Sequence, residues 1–342
     1  MKAMILDGIY DLKEETSPLQ LVEIAVPEIK DDEILIQVQA CGICHTELDE
    51  IEGRTPPPQF PVIPGHQVVG EVIKTGANVD ELLPGDIVGV AWIFSACGKC
   101  EWCQSGLENL CPDFIATGRD ANGGYAEYMA AKADFTVKIP DFYSAIQAAP
   151  LLCAGAVGYR SLKLAGISNG DYLGFTGFGA SAHLVLKTAQ YLYPESHFQV
   201  FARNPDEREF ALSLGADWAG DTSDRSPEPC HAIIDTTPVW KPVVEALSNL
   251  KPGGRLVINA IRKESHDLKQ LLKIKYEEHL WQEKEIKSVA NVTISDVREF
   301  IAISAEMKLL PAVTEYPLEK ANEALLELKA GNIRGAKVIS FK

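Results

Sequence analysis

The sequence predicts an α/β plus β architecture, in which a partly open β-barrel is joined to a doubly wound parallel sheet. Two observations carry this. Residues 1–153 hold short apolar runs such as Glu33-Ile-Leu-Ile-Gln-Val-Gln and Gln67-Val-Val-Gly-Glu-Val-Ile, divided by turns rich in proline and glycine, the pattern of an all-β domain. After Cys153 strand-like and helix-like segments alternate, as a parallel sheet with crossover helices requires. Length agrees with both, because 342 residues exceed what one core organises.

The second region, residues 154–294, can be read element by element. Tyr172-Leu-Gly-Phe-Thr is a short apolar strand, Ala180 to Tyr191 has helical spacing, and Phe198-Gln-Val-Phe-Ala is the next strand. His231-Ala-Ile-Ile-Asp, Arg255-Leu-Val-Ile-Asn and Glu285-Ile-Lys-Ser-Val read as later strands. Between the first strand and its helix lies Gly177-Phe-Gly-Ala-Ser-Ala182, a G-x-G-x-x-A dinucleotide fingerprint. Gly177 permits the tight turn, Gly179 lets a pyrophosphate approach the backbone, and Ala182 is small enough for close helix–strand packing. An acid about 20 residues further on normally grips the ribose hydroxyls. Here Ala202, Arg203 and Asn204 stand in that place. Arg203 reads either as a solvated charge beside Asp206 and Glu207 or as a guanidinium facing a 2′-phosphate. On the second reading NADP(H) is favoured over NAD(H). Residues 295–342 then supply an amphipathic helix from Tyr316 to Leu328 and a strand ending at Phe341.

Eight cysteines punctuate the chain, and four of them form a C-x2-C-x2-C-x7-C run at Cys97, Cys100, Cys103 and Cys111, in a polar lobe of residues 95–112. A closed tetrahedral zinc site needs four thiolates converging on one point, and two-residue gaps let short turns present successive sulfurs to the same ion. An iron–sulfur cluster and a disulfide framework are the alternatives. The first suffers from a last gap unlike the ferredoxin run, the second from the lack of any export signal.

Charge narrows the partners. With 48 acidic against 32 basic residues the formal net charge is −16, which disfavours nucleic acid and anionic membrane. No apolar run approaches membrane-spanning length, so a cytoplasmic protein is expected.

Three further segments complete a resemblance. Cys41-Gly-Ile-Cys-His-Thr-Glu-Leu, Pro64-Gly-His-Gln-Val-Val-Gly and Leu151-Leu-Cys-Ala-Gly, together with the four-cysteine lobe, Pro84-Gly-Asp-Ile-Val, Gly123-Gly-Tyr-Ala-Glu-Tyr and Gly331-Asn-Ile-Arg-Gly, resemble the zinc-dependent medium-chain alcohol dehydrogenases over essentially the whole chain. The resemblance implies a GroES-like catalytic domain at residues 1–153, a Rossmann domain at 154–294, and a return to the first domain at 295–342. It further implies two zinc ions per chain, one structural in the cysteine lobe and one catalytic on Cys44, His66 and Cys153, with the fourth position open to substrate.

By the same resemblance Thr46 hands the alcohol proton onward, and His45 approaches the pyrophosphate. From the residues alone, Thr46 is also a candidate helix N-cap. Asp49 occupies the place where many relatives have the last histidine of the proton relay, so the relay ends in Asp49 or exits through water. Gln67 replaces the glutamate that commonly follows the zinc histidine, Val157 stands where a nicotinamide-contacting threonine is usual, and Trp92 lies where relatives have an aromatic pocket wall. Arg334 is a candidate pyrophosphate contact. The expected activity is reversible hydride transfer between a small alcohol and its aldehyde or ketone, with a homodimer or homotetramer as the assembly. A polyol or amino-alcohol dehydrogenase of the same fold, and a non-catalytic zinc-stabilised nucleotide-binding protein, are the competing readings.

Overall fold

A computed structural model describes residues 1–179, 182–331 and 335–341 of the chain. Two compact units emerge, one of residues 1–156 and 292–342, the other of residues 157–291. Among the described residues no helix is long and apolar enough to cross a membrane.

The first unit is organised by one long strand, Glu33–Ile43, in which nearly every residue is buried. Its amino-terminal half pairs with Tyr128–Lys132 and its carboxyl-terminal half with Ala336–Ser340, while Val68–Thr75 runs along its other edge. Register shifts between Leu35 and Ile36 and between Val38 and Ala40 bend the strand enough to serve both partners. Ile87–Val90 and Thr136–Lys138 extend the sheet on one side, and Val313–Pro317 on the other. The result is an open, curled sheet and not a closed barrel. Its concave side is filled by aliphatic residues, including Ile34, Ile36, Val68, Val72 and Met129, onto which Leu325 and Leu328 of the helix Ala321–Lys329 pack.

That helix is shorter than its amphipathic pattern suggests. Tyr316 and Pro317 end a strand, and a 3-10 turn at Leu318–Lys320 intervenes. Proline lacks the amide that an α-helix would need once past its first turn, whereas at a strand end the missing donor costs nothing. Lys337, itself buried, donates to the Tyr316 hydroxyl at 2.7 Å and to Glu327, and so ties the last strand to this strand end and helix.

The second unit is a six-stranded, wholly parallel sheet. In spatial order its strands are Trp218–Gly220, His197–Phe201, Tyr172–Thr176, Cys230–Asp235, Leu250–Ile258 and Glu285–Ser288. Numbered along the chain this is 3-2-1-4-5-6, the doubly wound arrangement whose strand order reverses beside the first strand. Phe175, Val200, Ile234 and Val257 face the helix Ala182–Leu192 through Val185, Leu186 and Ala189. Val243, Ala246 and Leu247 from the helix Lys241–Leu247 cover Ile233 and Leu256. The central strands are therefore buried on both faces, which explains their unbroken apolar runs. Glu285–Ser288, at the edge, is exposed along its whole length.

Candidate active site

Cys44 ends the long strand and begins a helix. It is the N-cap of His45–Ile51, and its Sγ accepts from the Thr46 amide at 3.3 Å while its own amide donates to the Glu47 carboxylate at 2.8 Å. This reciprocal box satisfies two backbone donors that the first turn would otherwise leave bare. Thr46, expected from its residue type as an alternative cap, is thus one step inside the helix, because the cysteine sulfur already holds the capping position.

His66 arrives from the turn before Val68–Thr75. Gly65 sits at φ +98°, and a β-carbon there would lie 2.4 Å from the Tyr125 ring and 2.8 Å from the Cys41 sulfur. Only glycine lets the chain turn so tightly against these two side chains. His66 is buried, its Nε2 is 3.4 Å from the Cys44 Sγ, and its Nδ1 is 2.7 Å from the Glu47 carboxylate. Glu47, which is fully buried, therefore grips both the Cys44 backbone and the far side of the His66 ring. The Cys153 thiol completes the group, and the three ligand atoms lie within 4.8 Å of one another.

The donor set fits a tetrahedral zinc ion. Bonds of about 2.3 Å to sulfur and 2.0 Å to nitrogen place an S and an N ligand about 3.5 Å apart, close to the observed Cys44–His66 separation. The Glu47 carboxylate lies 2.7 Å from Nδ1, on the side of the ring away from Cys44, which is where a carboxylate usually stands behind a metal-ligating histidine. The Cys153 thiol, burial and the Glu47 charge all push the Cys44 thiol well up. Burial works against a charged His66 ring, yet the Glu47 carboxylate and Cys44 outweigh it and hold the ring well above its ordinary range. A metal ion binds the deprotonated forms of such ligands, so it would act against both shifts.

The second cysteine group is built independently. Cys97, Cys100, Cys103 and Cys111 also converge within 4.8 Å, with 3.9 Å between the Cys97 and Cys103 sulfurs and 3.6 Å between Cys100 and Cys103. A zinc ion with four thiolates at about 2.3 Å sets its sulfurs about 3.8 Å apart. The Cys100 amide donates to the Cys97 sulfur and the Cys97 amide to Cys111, both at 3.4 Å. The backbone amides of Lys99 and Cys100 draw the Cys97 thiol down to about 6, whereas burial and the Cys100 thiol push Cys103 up to about 12. Glu108 anchors the lobe by accepting from the Ile294 amide at 2.7 Å.

Other candidates from the sequence have more varied surroundings. Asp49 is buried and pairs with Arg54 at 2.5 Å, and Arg54 in turn meets Glu52, which also takes a bond from Lys329. His45 is exposed on the first turn of its helix. Trp92 stacks obliquely on Phe114 with ring centroids 5.4 Å apart, and the Arg119 guanidinium lies over its face. Arg334 falls outside the described residues.

In the parallel-sheet unit, Gly177 follows its strand directly at φ +74°, and a β-carbon would lie 2.8 Å from Thr237. Gly179 faces open space, as a backbone that receives a ligand requires. Ala182 opens the helix and is fully buried. Beneath the loop, at the carboxyl ends of the strands, a buried Lys263 donates to Asp235 and to the carbonyls of Thr237 and Val239. Asp235 accepts in addition from Thr176 at 2.5 Å and Thr237 at 2.7 Å. Since one partner of a buried pair cannot be removed without stranding the other, Lys263→Met is expected to destabilise this unit by about 3–5 kcal/mol. The Asp235→Asn/Lys263→Met double variant should recover much of that loss in a denaturant titration.

A three-ligand site in an open β-sheet domain and a glycine fingerprint in a 3-2-1-4-5-6 sheet define an oxidoreductase of the medium-chain type. Residues 30–141 match the alcohol dehydrogenase GroES-like domain. The chain is 43% identical to a probable alcohol dehydrogenase, AdhA, of Mycobacterium tuberculosis, over 95% of this chain and 93% of that protein. It is 33% identical to an alcohol dehydrogenase of Geobacillus stearothermophilus, over 95% and 96%. Among solved structures it superposes on a cinnamyl alcohol dehydrogenase of Sorghum bicolor with a TM-score of 0.84 and 26% identity, covering 98% of this chain and 97% of that one. The chain belongs to the medium-chain alcohol dehydrogenase family.

Proposed function

We propose that the protein is a zinc-dependent alcohol dehydrogenase that interconverts small alcohols and their aldehydes or ketones with a nicotinamide dinucleotide. The convergence of Cys44, His66 and Cys153, with Glu47 fixing the far nitrogen of His66, carries this reading. Three protein ligands leave a fourth position for substrate, which a merely structural ion would not need. These residues would hold a zinc ion, which when bound supplies Lewis-acid polarisation of the substrate oxygen. Cys97, Cys100, Cys103 and Cys111 would hold a second, structural one.

The chain's own groups do the remainder. Thr46, two residues beyond a ligand, takes the hydroxyl proton and passes it on. Gly177, Gly179 and Ala182 shape the loop that receives the pyrophosphate, and His45, exposed on its own helix, is a further candidate contact for the cofactor. Trp92 supplies an apolar wall for the substrate. The exposed edge strand Glu285–Ser288 supports a homodimer or a tetramer built from dimers, in the cytoplasm. Turnover of a panel of primary, secondary, polyol and amino alcohols, followed by reduced-cofactor absorbance, tests the reading. Activity on simple alcohols is expected. Binding of dinucleotide with no turnover of any alcohol would point to a nucleotide-binding protein instead.

A further inference from the structure

We propose that Glu207, and not Arg203, selects the dinucleotide, and that the selection is for NAD(H). The inference rests on the dehydrogenase reading above and reverses the preference expected from Arg203 alone.

In a doubly wound sheet the adenosine ribose lies at the carboxyl ends of the first and second strands. Those are Tyr172–Thr176 and His197–Phe201. The residue that usually carries the ribose-binding acid is here a buried Ala202. The chain then turns at once into the helix Pro205–Ser213, whose N-cap Asn204 accepts from the Asp206 amide at 3.0 Å. Glu207 falls in the first turn of that helix and reaches back across the cap. Its Oε2 accepts from the amide of Phe178 at 3.3 Å, between the two glycines of the fingerprint. A carboxylate absent from the strand end is thus returned to the same corner from the following helix.

The cations nearby are placed differently. Arg208 is turned inward, with Nη1 donating to the Ala202 carbonyl at 2.8 Å and the Arg203 carbonyl at 3.2 Å and lying 3.6 Å from Asp221. Its charge braces the strand end. Arg203 is exposed at the surface. The group fixed against the fingerprint loop is therefore an anion. It accepts from ribose hydroxyls and repels a 2′-phosphate, so it discriminates by both attraction and repulsion.

Calorimetric titration of the full-length protein with NADH and with NADPH, in the absence of alcohol, tests this. The wild type is expected to bind NADH about 10- to 100-fold more tightly, the scale of one charge-assisted hydrogen bond gained or lost. Glu207→Gln keeps an oxygen for the Phe178 amide while removing the charge, so it should narrow the gap about tenfold with an unchanged melting temperature. Arg203→Ala should leave the ratio within about twofold. A wild type that prefers NADPH, a Glu207→Gln variant that weakens both cofactors alike, or a ratio moved by Arg203→Ala would each overturn the inference. Binding of neither dinucleotide would overturn the dehydrogenase reading as well, whereas a reversed preference would leave that reading intact.

Discussion

Cys44→Ser is expected to abolish turnover while leaving a folded chain that retains one zinc ion. Cys44 has two roles that the substitution separates. Its sulfur caps the helix His45–Ile51 and stands 3.4 Å from the His66 nitrogen. Serine is among the better N-caps, so the helix and the Glu47 bond to its backbone survive. A neutral hydroxyl is a poor substitute for a soft thiolate, so the three-ligand site loses its ion. Cys100→Ser should behave in the opposite way. The lobe has little apolar core of its own, and a structural zinc contributes directly to folding free energy. Loss of solubility and a lowered melting temperature are therefore expected, with whatever protein remains folded keeping its ion at Cys44, His66 and Cys153. Metal analysis of the two variants beside the wild type reads both outcomes. One zinc per chain in the wild type, or iron in place of zinc, would sink the two-site assignment.

Much of this was legible in sequence because it is written in short spacings. The four-cysteine run and the glycine fingerprint each lie within one loop, so residue order alone brings their atoms together. The alternation of apolar runs after Cys153 gave the parallel sheet for a similar reason: strands buried on both faces cannot be polar. What escaped was chemistry that depends on a neighbour from elsewhere. Glu47 was overlooked as the partner of His66, although Cys44 and Glu47 have the spacing of a capping box, and a cysteine at the N-cap was the available signal. Glu207 receives no role from the sequence, where it stands only as a neighbour of Arg203, because a count from Ala182 ends at the strand, whereas its carboxylate reaches back from the following helix to the Phe178 amide. Lys263 and Asp235 are 28 residues apart, and nothing local marks them as a buried pair. The helix proposed from Tyr316 shortened to Ala321–Lys329 because a hydrophobic period does not register where a proline ends a strand.

Thr46→Ala is expected to lower kcat by on the order of 10²-fold or more, the scale of general acid–base assistance, while Thr46→Ser retains most of the activity. The comparison isolates the hydroxyl, since both variants keep the backbone amide that donates to Cys44 and neither alters the cap. The destination of the proton is the sharper question, and here the structure reshapes the expectation for Asp49. That carboxylate is buried and held by Arg54 at 2.5 Å, while its backbone carbonyl accepts from the Arg54 and Thr55 amides, so it closes the carboxyl-terminal end of the helix His45–Ile51. An acid so engaged positions the helix that carries Thr46, and water is the simpler exit for the proton. Asp49→Asn should accordingly lower the melting temperature and leave the shape of the pH–rate profile unchanged, and Arg54→Gln should reproduce the same loss of stability. A profile whose limb moves in Asp49→Asn but not in Arg54→Gln would instead make Asp49 the end of the relay, because only a group that exchanges the substrate proton shifts the pH dependence without its ion-pair partner doing so.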